Sequence, residues 1–162
     1  MNNAYLSLGS NIGNRHKYIE RALHLLEGSG STIVMASAPY ETQPWKMSGG
    51  NFFINRAVLL RTPLKPLQLL GLMMDIEKKL GRKRTDQQYA PRTLDIDLLL
   101  YNDEIINSPG LLVPHPHLAE RRFVLEPLCE IAPGVMHPTL GKSIKQLLEQ
   151  CTDVHKVKLC NT

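Results

Sequence analysis

Cysteine is scarce in this chain. The three present, Cys129, Cys151 and Cys160, are odd in number and spaced like neither a zinc site nor a disulfide framework. Reduced thiols in a cytoplasmic protein are the expectation. Aromatic residues are few as well, 6% of the chain, with one tryptophan at Trp45. No apolar run approaches the ~20 residues that cross a bilayer, and Met1-Asn2-Asn3-Ala4-Tyr5 lacks the basic and apolar regions of a secretory signal. No membrane partner is therefore expected. Runs of like charge and low-complexity segments are missing too. The formal charge of +4 and pI near 9.0 suit a small anionic partner and fall short of a nucleic-acid-binding tail. Phosphate-binding loops are also lacking. Gly9-Ser10-Asn11-Ile12-Gly13-Asn14 has the wrong glycine spacing for a P-loop and no following Lys-Ser or Lys-Thr, so it reads as a tight strand-to-helix turn. No kinase glycine loop is paired with catalytic Asp and Asn motifs. Any nucleotide phosphates must then be held by metals and arginines.

What is present is an ordinary globular composition over 162 residues, 43% hydrophobic and 21% charged, enough for one domain spanning residues 1–162. Ala4 to Leu8 alternates as a strand. Asn11 or Asn14 can cap a helix whose stripe is Ile19, Ala22, Leu23 and Leu26, stopped by Gly28 and Gly30. Thr32 to Tyr40 reads as a second strand, and Gln43 to Gly50 as a long turn. Phe52 to Leu60 is apolar on both faces and so a central strand. Pro63 and Pro66 open a helix with Leu69, Met73, Ile76 and Leu80 buried, ended by Gly81. Arg82 to Pro91 is irregular, and a strand follows. The order β-α-β-β-α-β predicts an α+β, ferredoxin-like core with an antiparallel sheet and helices on both faces. Beyond it, Asn107 to Pro116 is a connection, and Phe123–Ile131 and Ile144–Leu148 are short helices among C-terminal strand and helix additions.

The most informative stretch is Pro91-Arg92-Thr93-Leu94-Asp95-Ile96-Asp97-Leu98-Leu99. Leu94, Ile96, Leu98 and Leu100 alternate with Asp95, Asp97, Leu99 and Tyr101, the period of a strand. Asp95 and Asp97 therefore share a face, roughly 6.6 Å apart at Cα. Two carboxylates in an apolar strand are costly unless a cation meets them. Mg2+ takes such oxygens and leaves positions for substrate phosphates. Arg82, Arg84 and Arg92 bring positive charge to the same place, a constellation suited to phosphoryl transfer. Elsewhere, Asn55 shares a strand face with Phe53, and an amide among apolar neighbours needs hydrogen-bond partners. His115 and His117 form a His-x-His pair without a third zinc ligand at suitable spacing.

Ala90 to Leu99 resembles the signature of the 6-hydroxymethyl-7,8-dihydropterin pyrophosphokinase family of folate biosynthesis. Leu8-Gly9-Ser10-Asn11-Ile12-Gly13, Tyr40-Glu41-Thr42, Asn51-Phe52-Phe53-Ile54-Asn55 and Val113-Pro114-His115 resemble further family motifs, so the likeness covers nearly the whole chain. The resemblance implies transfer of diphosphate from the co-substrate ATP to the 6-hydroxymethyl group of the dihydropterin, releasing AMP. It implies two Mg2+ ions on Asp95 and Asp97, with Arg82 and Arg92 beside them in catalysis. The pterin would be held by Asn55 and groups near Thr42, Gln43 and Trp45, between the rings of Phe53 and Phe123. ATP would meet Leu70, Glu77, Arg84, Arg92, Leu98, His115 and Arg121. Tyr89 stands where a tryptophan is common in the family. Gly110, Leu112 and Pro116 stand where bacterial relatives often offer polar side chains to ATP.

The implied reaction is attack of the hydroxymethyl oxygen on the β-phosphorus, helped by positioning and electrostatics. Gly9–Asn14, Gln43–Gly50 and Arg82–Pro91 are the segments expected to close over it. A monomer acting on small molecules, without nucleic acid, is expected. An RNA-binding RRM would share the element order, but the basic-Gly-aromatic pattern is missing. A two-metal nuclease or nucleotide cyclase would share the carboxylates and leave Asn55 and the aromatic pair without a purpose.

Overall fold

The computed structural model describes residues 1–44, 50–82 and 92–160. Trp45, Arg84 and Tyr89 lie outside them, as do most of the two later segments expected to close over the site. Eight strands and four α-helices are described: β1 (Asn2–Ser10), α1 (Arg15–Glu27), β2 (Thr32–Ala36), β3 (Tyr40–Thr42), β4 (Phe53–Thr62), α2 (Pro66–Lys79), β5 (Asp95–Tyr101), β6 (Ile106–Ser108), β7 (Leu111–Val113), α3 (Arg122–Ile131), α4 (Ile144–Gln150) and β8 (Val157–Leu159).

The main sheet runs β5-β1-β4-β3-β8, with β2 also on β4, and every pairing is antiparallel. This is the expected β-α-β-β-α-β arrangement, with β4 at its centre. The expected strand from Thr32 to Tyr40 is instead two strands, β2 and β3, that share one edge of β4. A bulge between Ile33 and Met35 and the intervening Pro39 break it, since proline cannot donate to a ladder.

The two helices of the core form for reasons visible in their ends. Asn14 caps α1, its side chain accepting from the Lys17 N–H at 3.2 Å, so Asn14 rather than Asn11 is the cap. Pro66 opens α2, and the Lys65 N–H donates to Gln68 Oε1 at 2.9 Å. Gly81, with φ at +90°, ends it in a conformation that other residues resist.

Alternation then separates two cores. Ala4, Leu6 and Leu8 of β1, Ile54, Val58 and Leu60 of β4, and Ile96 and Leu98 of β5 pack under α1 and α2, against Ile19, Leu26, Leu69 and Met73. On the opposite face Ala57, Leu99 and Leu100 pack under α3 and α4, against Val124, Leu125, Leu128, Ile144 and Leu147. Helices cover both faces. The simple alternation expected along the Asp-x-Asp strand fails after Leu99. Register shifts between Tyr5 and Leu6, so Leu6 opposes Leu98 while Tyr5 opposes Leu100. The bulge sends both Leu99 and Leu100 into the second core and returns Tyr101 to the first. Within the expected connection after β5, β6 and β7 form a small hairpin.

Candidate active site

Three strands meet at one end of the second face. Gly9 of β1 opposes Asn55 of β4 on one side and Asp95 of β5 on the other. Ser7 likewise opposes Ala57 and Asp97. Because strands lie about 4.8 Å apart, Asn55 and Asp95 are separated by about 10 Å across Gly9. The glycine keeps that row open: a Cβ there would stand 2.5 Å from Asn55 Oδ1 and 3.4 Å from the Phe53 ring. No sequence signal marked Gly9 for this, since its glycine is equally at home in the turn that follows.

Asn55 is buried, and its Nδ2 donates to Thr42 Oγ1 at 2.5 Å. Thr42 is buried too and opposes Phe53 in the β3–β4 register. Thr42, Phe53 and Asn55 are thus brought together as expected. The Gln43 N–H donates to the Lys156 carbonyl at 2.9 Å, and its Oε1 accepts from the Lys156 N–H at 3.1 Å. Phe123, in the first turn of α3, lies over the same face of the sheet, half-buried against the second core. The Arg121 guanidinium lies 5.6 Å from the centre of the Phe123 ring, a cation–π contact.

The acidic end is built around Asp95. Arg82 Nη1 donates to its Oδ1 at 2.9 Å, and Arg92 Nη1 to its Oδ2 at 2.9 Å. Asn11 fixes Arg92 from below: the Arg92 N–H donates to Asn11 Oδ1 at 2.7 Å, and the Asn11 N–H to the Arg92 carbonyl at 3.1 Å. This clasp was hidden in the sequence, where Asn11 reads as a helix cap. Burial and the nearby Asp95 charge push Asp97 up to about 7, against the pull of Arg121 and Arg92. Its side chain keeps 30% of its surface, so water moderates that penalty without reversing it.

Glu77, expected to meet ATP, is held from within the fold. It is buried, with Oε2 accepting from the Ile96 N–H at 2.9 Å and from Arg82 at 2.5 Å. Burial raises its pKa, opposed by the Ile96 N–H and the Arg82 charge. For Arg82, desolvation is outweighed by Asp95 and Glu77, and its pKa rises. The stripe on α2 that carries Glu77 is the buried one, with Met73 and Ile76, whereas Met74 is exposed.

Beside Asp97 opens a cleft of about 430 Å³ whose walls include Leu70, Leu98, Leu112 and Pro116, with Asp97 and His115 at its polar end. Gly110 also lines it; Glu77 does not. His115 Nε2 lies 3.9 Å from Asp97 Oδ1, while its Nδ1 accepts the His117 N–H at 3.1 Å. Burial, helped by the charges of Arg121 and His117, lowers its pKa to about 4. His115 is therefore neutral at pH 7 with its proton on Nε2, facing Asp97. His117 pairs instead with Glu120 at 2.9 Å. Among the described residues no cluster of three or more His, Cys, Asp or Glu is arranged around a metal, and no helix is long and apolar enough to cross a membrane.

Residues 5–133 match the family described as 7,8-dihydro-6-hydroxymethylpterin-pyrophosphokinase (HPPK). A Bacillus subtilis protein named 2-amino-4-hydroxy-6-hydroxymethyldihydropteridine pyrophosphokinase is 46% identical over 137 residues, covering 83% of this chain and 81% of that protein. Its Aquifex aeolicus namesake is 40% identical over 152 residues, covering 94% of each. The folic acid synthesis protein fol1 of Pneumocystis carinii is 40% identical over 154 residues, or 95% of this chain, which spans only 20% of that protein. Among solved structures, a Plasmodium falciparum HPPK-DHPS with STZ-DHP shares the fold with a TM-score of 0.77 at 19% identity, over 92% of this chain and 43% of that one.

Proposed function

The chain belongs to the HPPK family, and on that premise we propose that the row Asn55–Gly9–Asp95 is where its substrates meet. The reaction of the family is transfer of diphosphate from ATP to 6-hydroxymethyl-7,8-dihydropterin, and this chain is that enzyme of folate biosynthesis. The observation that carries the site assignment is the register that sets Asn55 about 10 Å from Asp95 with Gly9 clear between them. That space suits a flat bicyclic ring whose polar edge meets Asn55 and whose hydroxymethyl arm extends toward the carboxylates.

The pterin edge is read by Asn55, oriented by Thr42, with Gln43 and Trp45 in the adjoining segment. Phe53 and Phe123 supply the faces on which the ring stacks. The adenine side of ATP occupies the cleft at Leu70 and Leu98, directing its phosphates to Asp97 and His115. Neutral His115 donates a hydrogen bond there without adding charge. Arg84, Arg92 and Arg121 complete the phosphate contacts. Glu77 acts on this ligand through Arg82.

The donor set fits Mg2+. Asp95 and Asp97 present carboxylates on one strand face, and the raised pKa of Asp97 reflects first its burial and then the charge of Asp95, both of which a bound cation offsets. Two carboxylates leave positions for substrate oxygens, as Mg2+ prefers. Two bound Mg2+ ions would offset charge on the polyphosphate and favour the ionised hydroxymethyl group. Arg82 and Arg92, held on Asp95, keep positive charge at the position where the transferring group gains negative charge. Asn11 holds the Arg92 main chain so that this charge need not be gathered at the moment of reaction. Attack at the β-phosphorus then releases AMP.

The same reading takes residues 1–162 as one domain, since β1, which starts at Asn2, and β8, which ends at Leu159, belong to the same sheet. It takes the protein as a cytoplasmic monomer acting on ATP and the pterin alone. Calorimetry on Asn55→Ala tests the pocket: dihydropterin binding weakens by about 1–3 kcal/mol, the cost of unpaired buried polar groups, while ATP affinity holds. Normal pterin binding by that variant would displace the pocket from this row.

A further inference from the structure

The family match ends at residue 133, yet residues 151–160 return to both walls of the proposed pterin pocket. On one wall β8 pairs with β3, setting Val157 opposite Thr42 and Lys158 opposite Glu41. The two hydrogen bonds between Gln43 and Lys156 extend this pairing by one residue. Thr42, which orients Asn55, is thus held between β4 and the tail.

The other wall is the start of α3. Arg121 occupies its cap position and provides no side-chain cap. Asp153 supplies one from far along the chain, its Oδ2 accepting the Arg122 N–H at 3.0 Å. The Arg122 side chain returns the contact, Nε donating to the Asp153 carbonyl at 2.9 Å and Nη2 to the Cys151 carbonyl at 3.0 Å. Asp153 is itself fixed by the His155 N–H at 3.0 Å and His155 Nδ1 at 2.5 Å, and its side chain is 4% exposed. Phe123 is the next residue of that helix.

Asp153 and Lys156 are three residues apart, a span of at most about 10 Å even when extended. One short segment therefore ties the wall that carries Thr42 to the wall that carries Phe123. We propose that Asp153 is a positioning residue for the pterin, holding the two walls at the separation that admits one flat ring. The inference rests on the pocket assigned above. Its physical basis is that walls ordered before the substrate arrives need not be ordered at its expense.

The test uses the full chain with Asp153→Ala, Asp153→Asn and Arg122→Met, beside Asn55→Ala, each assayed below its own melting temperature. Asp153→Ala raises the KM for dihydropterin about tenfold, equivalent to about 1.4 kcal/mol, while the KM for ATP and kcat stay within about twofold. Asp153→Asn keeps an acceptor for the Arg122 N–H and recovers most of the loss. Arg122→Met leaves Asp153 on the main chain, so it remains informative if Asp153→Ala does not fold; it too raises the pterin KM selectively. An unchanged pterin KM in these folded variants, or an equal loss in kcat and both KM values, overturns the inference. If Asn55→Ala weakens pterin binding while the Asp153 and Arg122 variants do not, the inference fails alone. If Asn55→Ala is normal, the pocket assignment fails and the inference falls with it.

Discussion

Glu77 Oε2 accepts the main-chain N–H of Ile96 at 2.9 Å, setting a helix carboxylate under the strand segment between Asp95 and Asp97. The same oxygen holds Arg82, which reaches on to Asp95. One buried acid thus fixes both the strand and the cation at the site proposed for diphosphate transfer. Glu77→Ala is expected to cost about 3 kcal/mol of stability, the low end for breaking a buried ion pair, because Arg82 keeps Asp95. Its kcat falls by a larger factor than its KM for ATP. Chemical denaturation and steady-state kinetics check the two parts, and a variant of normal kcat would remove Glu77 from the positioning of Arg82.

Gly9→Ala probes the open row between Asn55 and Asp95, where the pterin is proposed to lie. The added methyl group meets Asn55 Oδ1 at 2.5 Å, so the amide must leave Thr42 or the strands must part. Overpacking of this kind costs about 1–3 kcal/mol. Pterin binding is expected to be lost well before the fold is, as calorimetry and a melting curve on one sample will resolve.

Asp97 gives a pH-dependent prediction with a definite sign. Its folded pKa is raised, so the folded chain holds this proton more tightly than the unfolded chain does. Stability of the metal-free protein from this group is therefore full at low pH and falls as pH rises from about 4, the ordinary carboxylate range, toward about 7. Asp97→Asn removes the loss. In chelator, its melting temperature gains on the parent's between pH 5 and pH 8, and added Mg2+ narrows the gap by stabilising the parent alone. A constant difference across that range would mean that Asp97 titrates normally.

The sequence made these outcomes only partly foreseeable. The Asp-x-Asp strand, the buried stripes of α1 and α2, and the shared face of Phe53 and Asn55 follow from short-range periodicity, which one chain displays directly. Glu77 was harder, because helical spacing allows both Met74 and Met73 as its neighbours and only the packing angle chooses. The break in alternation at Leu100 comes from a bulge against β1, a property of two strands rather than one. Asn11 on Arg92 and Asp153 on Arg122 are contacts between distant residues made largely through main-chain groups, which leave no mark on side-chain type.

The central claim is that this chain transfers diphosphate through a site built on Asp95 and Asp97. Phosphorus NMR of the protein with ATP, Mg2+ and 6-hydroxymethyl-7,8-dihydropterin, run beside Asp95→Ala and Asp97→Ala, tests it most directly. The parent is expected to give AMP and a pterin diphosphate in equal amounts, while each variant, though folded, loses turnover by orders of magnitude. ADP with a pterin monophosphate, or a variant that keeps the parent rate in saturating Mg2+, would contradict the account.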